Sequence, residues 1–398
     1  MATGLQISGT DSMNISLPSG ALQGVKVLDL SRILGGPFCG QILGDHGADV
    51  LKVEPPQGDD TRTWGPPFQE GVASYYFGLN RNKRTQFLDL SSAEGQQRVR
   101  ELMAEADVVV ENFKVGTMEK WGIGYEQMRQ MQPQLIWCRV TGFGADGPLG
   151  SLPGYDAAIQ AMAGIMSING EADGDPLRVG LPVVDMVTGL NATIGVLLAL
   201  HERTRSGQGQ LIDASLYDSG LSLLHPHAAN WFMGGKLPQR SGNAHPNIYP
   251  YDAFNTGDAP IFLAVGNDRQ FRLLCGHLGC DALAQDTRFA TAGQRSVNRI
   301  ELKTLLEDAL LAFDGLSLAD ALMAIGVPAA PVLSVAQALE HPHTEHREMI
   351  VRMGDYQGLG APIKLSRTPA SYRFAPLSEG RDFLTAGTCP DEGSKSVA

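Results

Sequence analysis

The sequence lacks the cysteine and histidine spacings that metal sites and disulfide frameworks require. Its five cysteines are an odd number scattered along 398 residues, at Cys39, Cys138, Cys275, Cys280 and Cys389. An odd, scattered set of this kind is typical of reduced thiols in a cytosolic protein. We therefore expect a cytoplasmic protein with no disulfide framework and no metal in its site.

The chain also lacks an excess of positive charge. It has 31 Lys and Arg residues against 43 Asp and Glu residues, which gives a formal net charge of -12 at pH 7. Nucleic-acid binding needs a basic face that neutralises phosphates, so we exclude nucleic acid as the main partner. A small polyanion held by a few local Lys and Arg side chains is compatible with this charge.

No targeting signal and no uninterrupted membrane span are visible. Residues 1–20 show neither a basic segment followed by an apolar one nor an Arg-rich pattern, and we predict a disordered lead-in over residues 1–23. The longest apolar run, Val183–Leu200, is interrupted by four polar residues, Asp185, Thr188, Asn191 and Thr193. It therefore predicts a buried helix and no membrane contact.

What the sequence does contain is an alternation of short apolar runs with helical segments. Strands are predicted at Val25–Leu30, Ala48–Glu54, Thr85–Leu90, Asp107–Val110 and Leu135–Val140. Ser91 and Glu94 predict a capping box for the helix after the third of these strands. Such alternation indicates a mostly parallel sheet with helices on both faces and ligands beyond the carboxyl ends of the strands. We predict a large Rossmann-like domain over residues 24–230.

The pattern changes in the second half of the chain. A loop-rich stretch is followed by one short strand, Ile261–Val265, and several amphipathic helices. This predicts a smaller α+β domain over residues 235–326. Residues 327–398 are expected to return and pack on the large domain. The predicted fold class is α/β, with a large parallel-sheet domain and a smaller α+β domain.

Asp185 stands between a short extended segment and the start of the apolar helix. An aspartate in this position is often an N-cap that accepts the first free backbone N–H groups of a helix. The position also suits a nucleophile, because a helix N-terminus keeps a carboxylate ionised and offers donors to a developing oxyanion. The local sequence leaves both interpretations open.

Several loops are richer in polar and aromatic residues than a simple turn requires. The glycine pair at 35 and 36 suits close approach to a ligand, but no Gly-x-Gly-x-x-Gly pattern predicts a nicotinamide cofactor. The loop Gly58–Phe68 is polar and aromatic, and Asn80–Arg84 holds three positive charges, which usually indicates a solvated face. Asn112 and Phe113 follow the fourth predicted strand, where a parallel sheet meets its ligand.

These motifs, in this order, resemble the class III CoA-transferases, the family of formyl-CoA transferase and carnitine CoA-transferase. The resemblance covers about Gly24 to Arg373 and is strongest to the branch that contains succinyl-CoA:glutarate CoA-transferase. Besides the Asp185 segment, the matching stretches are 27–38, 58–68, 80–83, 110–113, 141–144, 154–156, 242–246 and 266–267. The family implies an interlocked homodimer with two small-molecule partners, an acyl-CoA donor and a carboxylic acid acceptor.

The resemblance implies that Asp185 is the catalytic nucleophile. In this family an aspartate at that place attacks the acyl-CoA thioester and forms a mixed anhydride, and the released CoA thiolate then converts the anhydride into an aspartyl-CoA thioester. The acceptor acid repeats the sequence in reverse. Covalent catalysis of this kind requires neither a metal nor an organic cofactor, so coenzyme A enters as part of a substrate.

The resemblance also implies where coenzyme A binds. The contacts carried over are Arg32, Ile33, Leu34, Lys83, Asn112, Phe113 and Lys120. A basic position of formyl-CoA transferase falls on Pro55 here, so part of the nucleotide contact must differ. Gly266 and Asn267 correspond to a glycine loop that serves relatives as an oxyanion or lid loop.

Two alternatives to CoA transfer stay open. The racemase branch of the same superfamily uses a His where this chain has Tyr155, and a phenol with a pKa of about 10 is a poor general base at neutral pH. A catalytically silent CoA-binding protein would have no need of the Asp185 carboxylate. The residues therefore favour transfer over both.

The preferred acids are predicted from the same resemblance. The loop 58–68, together with Arg32 and the His245 segment, matches the dicarboxylate-handling branch and implies a succinyl-CoA, glutaryl-CoA or similar substrate pair. A free distal carboxylate needs a cationic or strong-donor partner. The candidates are Arg32, Arg62, Arg178 and His245.

Overall fold

The computed structural model describes residues 20–377. Most of the predicted lead-in, Cys389 and the end of the return segment lie outside the described residues. The strands, in chain order, are β1 (Lys26–Asp29), β2 (Asp49–Glu54), β3 (Phe68–Gln69), β4 (Val72–Ala73), β5 (Lys83–Phe87), β6 (Val108–Glu111), β7 (Ile136–Thr141), β8 (Leu211–Ser215), β9 (Tyr251–Phe254), β10 (Ile261–Ala264), β11 (Ala329–Pro331), β12 (Ile350–Met353) and β13 (Tyr356–Leu359).

A 3₁₀ turn spans Asp60–Thr63. The α-helices are α1 (Gly35–Asp45), α2 (Ser74–Phe77), α3 (Ala93–Glu105), α4 (Thr117–Lys120), α5 (Tyr125–Met131), α6 (Asp156–Met162), α7 (Ile165–Ile168), α8 (Val183–Ser206), α9 (Leu216–Ser222), α10 (His227–Gly234), α11 (Asp268–Leu278), α12 (Asp281–Gln285), α13 (Ala292–Val297), α14 (Arg299–Leu310), α15 (Gly315–Ala324), α16 (Val335–Glu340) and α17 (Pro342–His346).

The chain forms two compact units, each built from separate stretches. The first takes the described residues of Met1–Pro153, Met186–Ser215 and Val351–Ala398, and the second takes Gly154–Asp185 and Leu216–Ile350. The predicted small domain, 235–326, lies inside the second unit, which also includes residues that the sequence analysis placed in the large domain and the return segment. Local patterns do not show where a chain leaves one unit and later returns.

A six-stranded parallel sheet forms the centre of the first unit, in the order β5-β2-β1-β6-β7-β8. The three valines of β6 are completely buried, as expected for a strand covered on both faces. Counted within the sheet, the order is 3-2-1-4-5-6, the doubly wound arrangement whose direction reverses between β1 and β6. The predicted Rossmann-like parallel sheet is therefore confirmed.

The start of helix α3 differs from the predicted capping box of Ser91 and Glu94. Its N-cap is Ser92, whose Oγ accepts a hydrogen bond from Gly95 N, so the helix begins one residue later than a cap at Ser91 would place it. Ser91 Oγ instead donates to Asp89 Oδ1. Two adjacent serines can each supply a cap, and the sequence alone does not choose between them.

A three-stranded antiparallel sheet, in the order β11-β10-β9, lies in the second unit. Apolar residues of this sheet form one buried cluster with residues of α11, α14 and α15, including Leu263, Phe271, Leu306 and Leu322. Helix α11 shows why such a segment is amphipathic: it buries Phe271, Leu274, Cys275 and Leu278, which follow helical spacing. This is the α+β arrangement that the sequence predicts.

Helix α8 is 24 residues long and, by length and mean hydropathy (1.8), could cross a membrane, a property that core helices of soluble proteins share. Within the first unit it packs on α1, because a Cβ at Gly189 would lie 2.7 Å from Gly35 O. The prediction of a buried helix is only partly correct. A stripe of four apolar side chains is between 41% and 64% exposed: Leu190, Ile194, Leu197 and Leu198.

Residues 351–377 belong to the first unit and supply backbone groups to its buried polar side chains. Asn82 Nδ2 donates to Ser371 O over 2.7 Å, and Asn82 Oδ1 accepts from Arg373 N over 2.7 Å. Arg62 Nη1 donates to Leu377 O over 3.0 Å. The end of the described chain thus completes hydrogen bonds in a region built by its first hundred residues.

Candidate active site

Asn112 joins the two loops that flank the reversal point of the parallel sheet. Its Oδ1 accepts from Arg32 N over 2.9 Å, and its Nδ2 donates to Arg32 O over 2.7 Å. The loop after β1 and the loop after β6 are therefore tied together at the carboxyl ends of their strands. In doubly wound sheets this is the crevice where ligands bind.

Ile33 adopts a left-handed conformation within the first of these loops, with φ of 70°. A β-branched residue rarely adopts this conformation, which costs about 1–3 kcal/mol and persists only where surrounding contacts enforce it. Here the contacts are the Asn112 amide on the preceding residue and Asp59 Oδ1, which accepts from Ile33 N over 3.5 Å. Strain of this kind is concentrated at functional sites.

A cation from the loop after β1 lies beside an aromatic ring from the loop after β6. The Arg32 guanidinium lies 5.8 Å from the centre of the Phe113 ring and 3.7 Å from Asp60, with 41% of its side chain exposed. Phe113 also meets Trp121 edge to face at 5.5 Å. Leu34 is buried, and Lys120 is exposed at the end of α4. The structure thus brings Arg32, Ile33, Asn112 and Phe113 together, and their contact with coenzyme A stays a prediction.

A buried pair of ions lies under the loop after β1. Lys52 Nζ donates to Ser31 O over 2.8 Å and to Asp59 Oδ2 over 3.0 Å, and both charged side chains are inaccessible to solvent. Burial by itself would raise the pKa of Asp59, but Lys52 and the donors of Thr61 hold that pKa below its usual value. A buried charged pair that is also hydrogen-bonded to the backbone of Ser31 stiffens the loop.

Lys83 does not face a ligand. Its ammonium donates to Asp29 Oδ2, Pro37 O and Asn80 Oδ1 over 2.7–2.9 Å, which uses all three of its hydrogens. Burial lowers its pKa to about 8, against the opposing effect of Asp29. The structure therefore contradicts a direct contact with coenzyme A, and it also contradicts the solvated face suggested by the charges at 80–84.

Arg62 is likewise used inside the protein. Its Nε and Nη2 donate to the two carboxylate oxygens of Glu54 over 2.7 and 2.9 Å, and Nη2 also meets Tyr76 Oη. With a third contact to Leu377 O, the guanidinium is a buried structural group. We therefore withdraw it as a partner for a substrate carboxylate.

In the second unit, Asp185 is the third residue of α8, and a different aspartate caps that helix. Asp156 Oδ2 accepts from Val184 N over 2.8 Å and from Asp185 N over 3.2 Å. Asp156 Oδ1 is held by Gln160 Nε2 over 2.6 Å. The N-cap interpretation of Asp185 is therefore wrong, because Asp156 performs that role from the start of α6.

Burial and a neighbouring charge raise the pKa of Asp185 to about 7. Loss of solvent is the larger cause and repulsion by Asp156 the smaller one. The sequence position predicts that the helix N-terminus keeps this carboxylate ionised, but the N–H groups of Val184 and Asp185 donate to Asp156 instead. A carboxylate with a raised pKa is more basic, and groups perturbed in this way are concentrated at catalytic sites.

The other predicted residues of the second unit have different surroundings. Arg178 is exposed, and its Nη1 donates to Val179 O over 3.2 Å. His245 is half-buried, and its Nδ1 accepts from Asn247 N and Ile248 N, which leaves Nε2 as the donor. Burial lowers its pKa, so the neutral ring is favoured. Both remain candidates for a substrate carboxylate.

Gly266 and Asn267 form a helix cap. Gly266 N donates to Gln270 Oε1 and Asn267 Oδ1 accepts from Gln270 N, each over 2.9 Å. The pair thus stabilises the start of α11, and its Gly266 N–H already has a partner. The structure gives no support to an oxyanion loop at these two residues.

A family model described as CoA-transferase family III matches residues 22–382. The chain belongs to CoA-transferase family III. This CoA-transferase is 42% identical over 375 residues to a succinate–glutarate CoA-transferase of Agrobacterium fabrum, covering 91% of this chain and 93% of the relative. It is 40% identical over 352 residues to an acetyl-CoA:oxalate CoA-transferase of Acetobacter aceti, covering 88% and 90% respectively.

A solved structure has the same fold. A CAIB/BAIF family protein from Brucella suis is 44% identical to the CoA-transferase and superposes with a TM-score of 0.82, covering 92% of this chain and 98% of that one. The predicted family and enzyme class are therefore confirmed.

Sequence reasoning missed the role of Asp156. The residue stands in the matched stretch 154–156 but carries no role there, since its partners lie 28 and 29 residues further along the chain. The absence of a good capping residue at Pro182, just before α8, is the signal that another segment must supply the cap.

Proposed function

We propose that this CoA-transferase moves coenzyme A from a dicarboxylic acyl-CoA to a free carboxylic acid, with Asp185 as the nucleophile. The observation that carries the proposal is the state of the Asp185 carboxylate. Asp156 caps helix α8, so Asp185 does not have to, and the pKa of Asp185 is raised to about 7. An aspartate that served only to cap the helix would need neither a second capping residue nor a raised pKa. A nucleophile gains from the raised pKa, because basicity and nucleophilic strength rise together.

The steps follow from the carboxylate chemistry. An Asp185 oxygen attacks the thioester carbonyl, the carbon–sulfur bond breaks, and a mixed anhydride and a CoA thiolate form. The thiolate attacks the aspartyl carbonyl and releases the first acid, which leaves an aspartyl-CoA thioester. The acceptor carboxylate then attacks the aspartyl carbonyl and expels the CoA thiolate, which leaves a second mixed anhydride. The thiolate attacks the acceptor's carbonyl in this anhydride, which gives the new acyl-CoA and the free Asp185 carboxylate.

We assign the recognition of coenzyme A to the first unit. The tied loops at the reversal point of the sheet offer the Arg32 guanidinium, the Phe113 ring and backbone held by Asn112. A cation suits a phosphate and an aromatic face suits a base or a pantetheine chain. Ile33 and Leu34 keep their assignment as backbone and apolar contacts of this loop, and Lys120 as an exposed phosphate contact.

The acid substrates are proposed to be dicarboxylic. Glutarate and oxalate, the acids in the names of the two relatives, are both dicarboxylic, which supports the class without fixing the length. Arg32, Arg178 and His245 are the remaining candidates for the distal carboxylate, since each keeps an exposed or half-buried polar group.

We propose a homodimer as the active form. The exposed apolar stripe of α8 in the first unit and the side chains of Trp231, Phe232 and Met233 on α10 in the second unit support a partner surface. Phe232 and Met233 are 84% and 93% exposed, which is unusual for consecutive large apolar residues.

The nucleophile is tested by intact-protein mass spectrometry. The enzyme is mixed with succinyl-CoA and trapped briefly with hydroxylamine or borohydride, alongside Asp185→Asn. We expect a label on the wild type that maps to Asp185 and is absent from the variant. A wild type that binds CoA tightly but carries no label would favour the racemase or a silent binder instead.

The acid class is tested with a panel of donors and acceptors. We expect dicarboxylates of four or five carbons to be exchanged with the highest kcat/KM. Far better turnover of monocarboxylates would contradict the dicarboxylic class, and far better turnover of oxalate would contradict the preference for four or five carbons. Either result would leave the Asp185 chemistry intact.

A further inference from the structure

Two cysteines lie at the carboxyl-terminal end of helix α11. Cys275 lies in the last turn of α11, and Cys280 lies just before α12. Both belong to the second unit, and each is the largest single influence on the pKa of the other, raising that of Cys275 and lowering that of Cys280. The pairing therefore joins two thiols that are five residues apart.

The backbone explains why these side chains meet. Cys280 N donates to Cys275 O over 2.9 Å, Gly279 N donates to Gly276 O over 3.3 Å, and Gly279 is left-handed with φ of 68°. This is a Schellman motif, in which the side chain after the glycine normally makes an apolar contact with the last turn of the helix. Two cysteines occupy the positions of that contact.

The same geometry suits a covalent bond. The 2.9 Å hydrogen bond holds the Cα atoms of Cys275 and Cys280 within about 7 Å of each other, close to the span of about 4.4–6.8 Å that a disulfide bridges. Ordinary apolar residues would use the contact only for packing. Two thiols in this place can also be oxidised without unfolding the helix end.

Exposure divides the roles of the two thiols. Cys280 is half-buried, whereas Cys275 is completely buried in the apolar cluster of the second unit. The thiol of Cys275 lowers the pKa of Cys280, while the pKa of Cys275 itself is raised. Cys280 is thus the accessible thiol that forms the thiolate more readily, and Cys275 is placed to react second.

We propose that Cys280 and Cys275 form a thiol–disulfide exchange site for low-molecular-weight disulfides such as glutathione disulfide. The Cys280 thiolate attacks one sulfur of the disulfide, the sulfur–sulfur bond breaks, and one glutathione thiolate leaves. Cys275 then gives its proton to the departing glutathione thiolate and attacks the Cys280 sulfur, which expels the second glutathione thiolate. Two protein thiols are oxidised and one glutathione disulfide is reduced to two thiols.

The chain contains an internal control for this site. Cys39 and Cys138 form a second pair, since Cys39 raises the pKa of the Cys138 thiol, but both are completely buried in the first unit. If proximity alone decided reactivity, the two pairs would react alike. Because the attacking thiolate must reach the reagent, only the pair with Cys280 is expected to react in the folded enzyme.

Peptide mass spectrometry after treatment of the native enzyme with glutathione disulfide tests the proposal. Trypsin cuts after Arg272 and Arg288, so one peptide, 273–288, holds both cysteines and no other. We expect this peptide to lose two hydrogens while the peptides with Cys39 and Cys138 stay reduced. In Cys275→Ser we expect a stable glutathione adduct on Cys280, and in Cys280→Ser an unmodified peptide.

Two results would overturn the proposal. The first is a peptide 273–288 that stays reduced in native wild type although it oxidises after denaturation in urea. The second is a lasting glutathione adduct on wild-type Cys280 with no internal disulfide. Both readings come from the wild type, so they hold even if a serine variant folds poorly, and neither depends on CoA transfer.

Discussion

The carboxylate of Asp185 loses more from burial than it gains from its place at a helix start. Its pKa rises from 3.8 to about 7, so the folded chain holds the proton more tightly than the unfolded chain does. Ionisation therefore lowers the stability of the fold progressively between about pH 4 and pH 7. The folded enzyme is therefore less stable against unfolding when Asp185 is ionised, the form that attacks a thioester, than when Asp185 is protonated.

The pH dependence of turnover follows from this shift. We expect kcat/KM to rise with pH through an apparent pKa of about 7, because only the ionised Asp185 attacks and kcat/KM reports the free enzyme. Asp156→Asn removes the repelling charge and should lower this apparent pKa, as measured by kcat/KM between pH 5 and 9. Asp173→Asn, which neutralises an exposed carboxylate of the same unit, serves as the control. An apparent pKa that is the same in Asp156→Asn as in the wild type would show that Asp156 does not act on the nucleophile.

Lys83 is predicted to support the fold and to leave coenzyme A binding unchanged. Lys83→Met strands the Asp29 charge inside the protein, and we expect a loss of about 3–5 kcal/mol in the free energy of unfolding, measured in urea. Asp29→Asn in the same chain should recover part of it. Lys26→Met, which removes an exposed ammonium paired with Glu105, is the matched control and should cost less than about 1 kcal/mol. If Lys83→Met instead leaves stability unchanged and raises the KM for the acyl-CoA, Lys83 contacts coenzyme A directly.

At the scale of elements, the loops that follow β1 and β6 are held together by the side-chain amide of Asn112. Asn112→Ala removes both hydrogen bonds to Arg32, each worth about 0.5–1.5 kcal/mol, so we expect KM for the acyl-CoA to rise roughly tenfold with little change in kcat. Gln132→Ala removes an amide that donates to Ala106 O away from these loops and should leave KM unchanged. A fall in kcat at constant KM would contradict a role in binding.

The elements were predictable where the information is local. Short apolar and β-branched runs alternating with helical segments predicted the parallel strands, and the position of Asn112 and Phe113 after a strand predicted their place at the carboxyl ends of the strands. The roles of Lys83 and Arg62 were not predictable, because Asp29 lies 54 residues before Lys83, and the place of Arg62 depends partly on Leu377 O, 315 residues away. A charge looks the same in sequence whether its partner is solvent, a ligand or a distant carboxylate.

At the scale of the whole molecule, the exposed stripe of α8 predicts a dimer. We expect the active wild type to have the mass of two chains in size-exclusion chromatography with light scattering. Ile194→Glu combined with Leu198→Glu places charges in the stripe and should reduce that mass, with circular dichroism to verify folding. Met131→Glu, on the exposed face of α5, is the control. An active wild type that elutes as a single chain would exclude the dimer.

The hydrogen bonds between residues 371–377 and the first hundred residues set an order for biosynthesis. Asn82 and Arg62 are buried with partners in Ser371, Arg373 and Leu377. While the nascent chain is still shorter than this, those polar groups have no backbone to pair with, and buried groups without partners are costly. The first unit therefore reaches its final set of buried hydrogen bonds only after residues 371–377 have been synthesised, although its parallel strands are encoded by the first 215 residues.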